Sequence, residues 1–323
     1  MIEGNFATVH RNLSLAYYNK LQNADKALVS LERAFWIDPA DARVLMELDQ
    51  LYKKLNHPLT QRLSFLDEHL PLVNSREDLY LERITLYNQT GHYQKAKELI
   101  ANYKFHPWEG GEGKVVGQYL IAHLELAKKA IEAGQAVTAL QYLHDAERYP
   151  DNLGEGKLPG APENDINYLK GLAYEQTGEK ELALESFKMA TEGISVPVQA
   201  IFYNDPQPDK ILYQGLAWLK LNEEDKALKI FNELSNFGDK HLHDNISIDY
   251  FAVSLPDLLV FDADLDMKNK IHCLYLKGLG KLGLGGGALE TADTLFDEVL
   301  QLDVNHMGAA IHKKMCGSAL ITS

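Results

Sequence analysis

Small residues paired twelve positions apart recur along this chain, and that spacing restricts its fold more than any other feature. Ala127/Ala139, Gly171/Ala183 and Gly215/Ala227 are the regular cases. Leu15/Ala27 and Ile84/Ala96 keep only the second small residue, and Asp49/Gln61 keeps neither. A seventh pair, Gly278/Ala292, is stretched to fourteen by the insertion LGLGGG (282–287). Small residues sit where two antiparallel helices cross closely, and aromatic side chains fill the space left beside them. Tyr174 with Phe187, and Trp218 with Phe231, stand in the matching places of 167–190 and 212–235; 80–103 aligns with both.

The spacing between pairs is less even. The first small positions fall at 15, 49, 84, 127, 171, 215 and 278, giving steps of 34, 35, 43, 44, 44 and 63. The spacing inside a pair stays at twelve until the last, so the long insertions lie between one pair and the next. Equivalent connections in a repeat array project from one edge, where insertions stack into a continuous and often functional surface.

The insertions are rich in candidate binding residues. The first, KFHPWEGGEGK (104–114), offers His106, Trp108, Glu109, Glu112 and Lys114. The second (149–165) offers Asn152, Glu155, Lys157 and Asn164, and the third (194–210) offers Tyr203, Asn204 and Asp205. The last, about 237–266, contains IDYFAVSLPDLLVFD, in which Phe251, Leu255, Leu258 and Phe261 read as a core patch rather than a ligand box.

The pattern resembles the tetratricopeptide repeat, which implies an all-α, right-handed superhelical solenoid of about seven helix-turn-helix repeats. Phe6 to Pro39, ending AFWIDP, is similar to a complete repeat; the second has lost its small residues and carries Pro58 in its turn. Repeats one to three occupy 1–103 and repeats four to six 104–236. The large insertion, repeat seven and a capping helix near 305–315 occupy 237–323, all in one continuous array. HPWEGGEGKVVGQY (106–119) and YFAVSLPDLLVFD (250–262) further resemble segments of large bacterial proteins. In those, such an array follows an N-terminal domain of unknown function that looks carbohydrate-related. That resemblance implies a fragment of a larger protein, docking against domains upstream of Met1 or helping to shape a glycan site.

Composition limits the partners. The formal net charge is −14, with no Lys/Arg cluster, whereas nucleic-acid binding calls for a cationic stripe. No apolar run reaches the length of a membrane span, and two cysteines form no disulfide framework. A cytoplasmic setting is therefore the default. No phosphate loop, HExxH or GxSxG occurs, and no cofactor or metal is implied. His241 and His243 with Asp244 are weak metal candidates, and His272 beside Cys273 reads as core. The Lys/Asn positions that clamp a chaperone carboxylate are here mainly apolar: Leu124, Tyr168, Leu212 and Tyr275 on the first helices. The leading expectation is a non-catalytic scaffold that binds a protein through its insertion edge. The alternative is an accessory module of a carbohydrate-active enzyme, with Glu109 and Glu112 beside Trp108 meeting an oligosaccharide.

Overall fold

The computed structural model describes residues 6–107, 111–199, 207–246 and 260–321, which are all-α. Its compact units are two: Met1–His92 with Val253–Asp264, and Tyr93–Ala252 with Leu265–Ser323.

The first unit holds α1 (Ala7–Asn19), α2 (Ala24–Ile37), α3 (Ala42–Lys54), α4 (Leu59–Glu68), the single turn α5 (Leu70–Val73) and α6 (Glu77–Gln89). The second holds α7 (Tyr93–Ala101), α8 (Lys114–Glu132), α9 (Ala136–Ala146), α10 (Asn164–Thr177) and α11 (Lys180–Ala190). It continues with α12 (Pro208–Lys220), α13 (Glu224–His241), α14 (Leu265–Leu284), α15 (Leu289–Leu302) and α16 (Met307–Met315). Every landmark pair falls on two successive helices, so the expected helix-turn-helix order is present throughout.

One backbone feature explains why the twelve-residue spacing is so constant. Seven residues after each first landmark the chain turns through positive φ: at Gln22, Asn56, Gly91, Gly134, Gly178, Asn222 and Gly285. Gly and Asn enter that region at least cost, so the turn is set locally. In the last pair Gly285 keeps the same offset, and the extra length lies after it, in a short 3-10 turn over Gly286–Ala288.

Close helix crossing is visible where glycine marks it. A Cβ on Gly171 would lie 2.3 Å from the Phe187 ring, one on Gly215 2.3 Å from Phe231, and one on Gly278 2.5 Å from Phe296. Each phenyl ring lies on the glycine of its partner helix, and all three rings are buried. The apolar core of the second unit is continuous from Leu124 on α8 to Leu320 beyond α16. First helices of successive pairs are also neighbours there, α8 with α10, α10 with α12, and α12 with α14. The helix expected near 305–315 is α16, which packs on α14 and α15.

The degenerate second pair of the first unit is held by charge instead of by small residues. Arg62 donates from Nε to Asp49 Oδ1 (3.1 Å) and from one terminal nitrogen to Asp49 Oδ2 (2.7 Å) and Glu82 Oε1 (2.7 Å). Asp49 and Arg62 are each only 1% exposed. Glu47, also buried, accepts two 2.6 Å bonds from Arg11 and one of 3.0 Å from Arg43. The end of the last insertion belongs to this unit too. The Asn19 amide donates to the Val260 carbonyl (3.0 Å) and accepts from the Asp262 N–H (2.9 Å), while Phe261 is buried edge-on to Tyr18. Phe261 is thus a core residue, as its pattern suggested. Phe251, Leu255 and Leu258 lie outside the described residues.

Candidate interaction surface

In the second unit the insertions are fastened to the helix pairs by a recurring device. A side-chain amide from a connection or a first helix donates to carbonyls at or just beyond the end of a second helix, although the helix it caps differs in chain order from case to case. Asn152 donates to the carbonyls of Ile100 (2.8 Å) and Tyr103 (2.9 Å). Asn164 donates to Ala190 (2.8 Å) and Glu192 (2.7 Å), and Asn269 to His241 (2.7 Å). These bonds satisfy carbonyls that a helix end leaves without partners. Gln214 extends the device by donating to Glu192 (3.0 Å) and Ile194 (3.1 Å) in the third insertion. His272 holds the same insertion by donating to the Val198 carbonyl at 2.8 Å.

The first two insertions also bind each other. The Phe105 N–H donates to the Asn152 carbonyl at 2.8 Å, and the Gly113 N–H donates to Glu155 Oε2 at 2.8 Å. Gly154, at φ +76°, lies so close beneath the first insertion that a Cβ would stand 2.8 Å from the Phe105 oxygen. The two loops therefore form a joined ledge.

The candidate residues have different places on this ledge. His106, Glu112, Lys114 and Lys157 are exposed, Asn152 and Glu155 are half-buried, and Asn164 is buried. Lys157 donates to the Glu147 carbonyl at 3.1 Å and pairs with Glu163. Asn152, Glu155 and the backbone of the first insertion are brought together; Asn164 is committed one repeat further on. Trp108, Glu109, Tyr203, Asn204 and Asp205 lie outside the described residues.

Beside the ledge a cleft of about 400 Å³ opens between α7, α8 and the end of α9. Lys97, Tyr119, His123, Asp145 and Arg148 line it together with Asn152. The Tyr119 hydroxyl donates to the Asp145 carbonyl (2.7 Å) and also approaches the Arg148 carbonyl (3.1 Å). The His123 ring is tilted against that of Tyr119, with centroids 4.1 Å apart. Its Nδ1 lies 2.8 Å from the Tyr119 carbonyl, which can only accept, so Nδ1 carries the proton. Burial lowers the pKa of this imidazole below its ordinary value, while the Tyr119 carbonyl bond opposes the shift. Of these residues only Asn152 stood among the sequence candidates. The one available signal was the Tyr119/His123 pair, four apart on an otherwise apolar helix face.

The inner row of first helices carries a different kind of site, and it is already filled. The last turn of α16 and the segment after it lie against α12, α10 and α8. Tyr213 and Lys128 approach the Met315 sulfur at 3.7 Å and 3.9 Å, and the Tyr168 hydroxyl donates to the Leu320 carbonyl at 2.8 Å. Ser318 pairs with the Glu132 carboxylate, and Lys314 donates to the Tyr93 hydroxyl at 3.1 Å. Leu320 is buried. At Tyr168 this face meets Leu320, and at Tyr275 it meets Gly308 and His312 of α16, while Leu124 and Leu212 belong to the same apolar core.

Other chemistry has little support among the described residues. No three His, Cys, Asp or Glu side chains converge as a metal would require. His241 Nδ1 instead lies 2.6 Å from Asp244. Burial pushes the thiols of Cys273 and Cys316 up to about 11, away from thiolate reactivity. No described helix is long and apolar enough to cross a membrane.

No family model matches the chain. Among solved structures it is similar to a tetratricopeptide repeat protein from Parabacteroides merdae ATCC 43184, at 12% identity and TM-score 0.45, over 97% of this chain and 99% of that one. It is also similar to a chain of the Naa15/Naa10 assembly bound to HypK-THB (12% identity, TM-score 0.40), over 97% of this chain and 50% of that one. A third is the P58(IPK) TPR domain, at 13% identity and TM-score 0.33, over 96% of this chain and 87% of that one. None adds to what the helix pairs themselves display.

Proposed function

We propose that this chain is a protein-interaction scaffold whose docking surface is the insertion edge of the second unit. The observation that carries the reading is the joined ledge: two insertions hydrogen-bonded to each other and clamped to helix ends. Ordering long loops costs conformational entropy, and prior fastening lowers what a partner must supply on binding. The inner row favours the same choice, since α16 and the segment after it already occupy part of it. Exposed His106, Glu112, Lys114 and Lys157 give the ledge a polar rim, the usual surround of a protein interface. Trp108, Tyr203, Asn204 and Asp205 are proposed to complete the surface.

Site-specific photo-crosslinking in cells tests this directly. A crosslinker at Glu112 or Lys157 should capture the same protein, while one at the exposed Val137 or Leu182 should not. The purified partner should then lose about tenfold in affinity on Lys157→Glu, the order of one charge-assisted contact. Capture that is equal at all four positions, or absent from the ledge, refutes the assignment. The glycan alternative rests on Trp108 and Glu109, and a Trp fluorescence response to oligosaccharides would favour it.

A further inference from the structure

The lining of the cleft beside the ledge has a charge pattern that the chain as a whole does not. Acidic residues outnumber basic ones 46 to 32, and many cations are paired, such as Lys170 with Glu147 and Lys210 with Asp165. Among the described residues Lys97 and Arg148 form no ion pair. Lys97 lies over the Tyr142 ring, 5.6 Å from its centroid. The Arg148 guanidinium is exposed at the rim.

Two helix C-termini converge on this cleft, and their carbonyls would ordinarily repel an anion. Both ends are capped. Asn152 donates to the Ile100 carbonyl at the end of α7, and Tyr119 donates to the Asp145 carbonyl at the end of α9. Capping withdraws the negative ends and leaves two cations facing the space. Arg148 presents the planar fork that matches a carboxylate, and Lys97 adds a point charge.

The remaining polar groups are acceptors. With Nδ1 bonded to the Tyr119 carbonyl, the neutral His123 ring presents Nε2 as a lone pair, and no bond is made by Nε2 among the described residues. The Asp145 carboxylate likewise forms no ion pair among the described residues. The cleft thus combines donors for an anion with acceptors for an N–H, the two groups an acidic amino-acid residue presents together. A bare inorganic anion would use the first and meet repulsion from Asp145. The volume lies at the low end for ligand sites, which suits one or two residues rather than a cofactor.

We propose that this cleft captures an acidic residue of a peptide segment, with its carboxylate between Lys97 and Arg148 and a backbone N–H directed to Asp145 or His123. This rests on the docking-scaffold reading and names the chemistry of the partner segment. The ledge supplies area, and the cleft selects for a carboxylate.

The test uses the full chain with isotope-labelled histidine and follows the His123 ring resonance. The probes are N-acetyl-Gly-Glu-Gly-amide, its Gln counterpart and inorganic phosphate. The Glu peptide should shift the resonance saturably, and the Gln peptide should need a concentration about tenfold higher. Lys97→Met and Arg148→Met should each weaken the Glu peptide by a similar factor of about ten. Unchanged helical circular dichroism and thermal melts of the free variants report that the fold is intact. The proposal is overturned if Glu and Gln peptides bind alike, if phosphate saturates the shift as well as the Glu peptide, or if no probe produces one. Crosslinking from Glu112 and Lys157 in a Lys97→Met background separates the two readings. A partner still captured there keeps the ledge while the cleft is lost, and no capture in either background removes the ledge itself.

Discussion

Replacing Arg62 by Met tests whether charge has taken over the place of small residues in the second repeat. The variant keeps most of the side-chain volume but removes the guanidinium that bonds both oxygens of Asp49, which is 1% exposed. Breaking a buried pair from one side costs about 3–5 kcal/mol, because a desolvated charge is left uncompensated. Glu82 has a second cation, Lys53, at 3.1 Å, so the loss should centre on Asp49. Burial already pushes the Asp49 pKa up against the pull of Arg62, and the variant should raise it further. The double variant Asp49→Leu/Arg62→Met should recover to within about 1 kcal/mol of the parent, since apolar replacement of a buried pair is often neutral or better. Urea titrations would give the cycle, and hydrogen exchange would place the loss in α3, α4 and α6. A single variant costing under about 1 kcal/mol, or a double variant as unstable as the sum of two singles, would refute the reasoning.

Other perturbations follow from the same structure. Gly215→Ala should destabilise by about 1–3 kcal/mol through overpacking against Phe231, whereas Gly117→Ala, with open space around it, should be neutral or stabilising; thermal melts compare them. His312 is buried and its pKa is depressed to about 3. The unfolded chain therefore binds a proton that the folded one does not between pH 6.5 and about 3, and stability falls as pH drops through that window. The slope for one such group is about 1.4 kcal/mol per pH unit, and urea midpoints between pH 7 and 5 should show it. Truncation after Cys316 should cost roughly 2–4 kcal/mol from Leu320 burial and lost bonds at Tyr168 and Glu132, with faster exchange in α8 and α10. Unchanged exchange there would show that the segment contributes nothing to holding the row.

The parts that were legible in the sequence are those set by short range. Gly171, Gly215 and Gly278 announce their helix crossings because the ring that covers each lies in the next helix of the same pair. The turn residues repeat at a fixed offset for the same reason. In the second repeat the spacing pointed to Asp49 and Gln61, yet the working partner is Arg62, one position on. A missing small residue shows that the contact differs but does not say what replaces it. The ledge was legible only as surplus length in consecutive connections, which placed Asn152 and Glu155 on it without showing that they fasten it. The cleft was not legible: Lys97 and His123 come from two helices and Arg148 from the connection after α9, and each alone reads as an ordinary surface or helical residue. Tyr168 stands where a carboxylate clamp would need a polar residue, and its partner Leu320, 152 positions on, has no signal in the local spacing.

That cover has a consequence for the order in which the protein can be completed. Ser318 meets Glu132 across 186 positions of chain. At about 5–20 residues per second, α8 would leave the ribosome roughly ten to forty seconds before the residues that seal it. During that interval α8 and, once made, α10 stand without this cover, a surface on which chaperones or premature aggregation would act. The segment after α16 is the keystone of that face, so its closure is timed by synthesis as much as by the speed of helix packing.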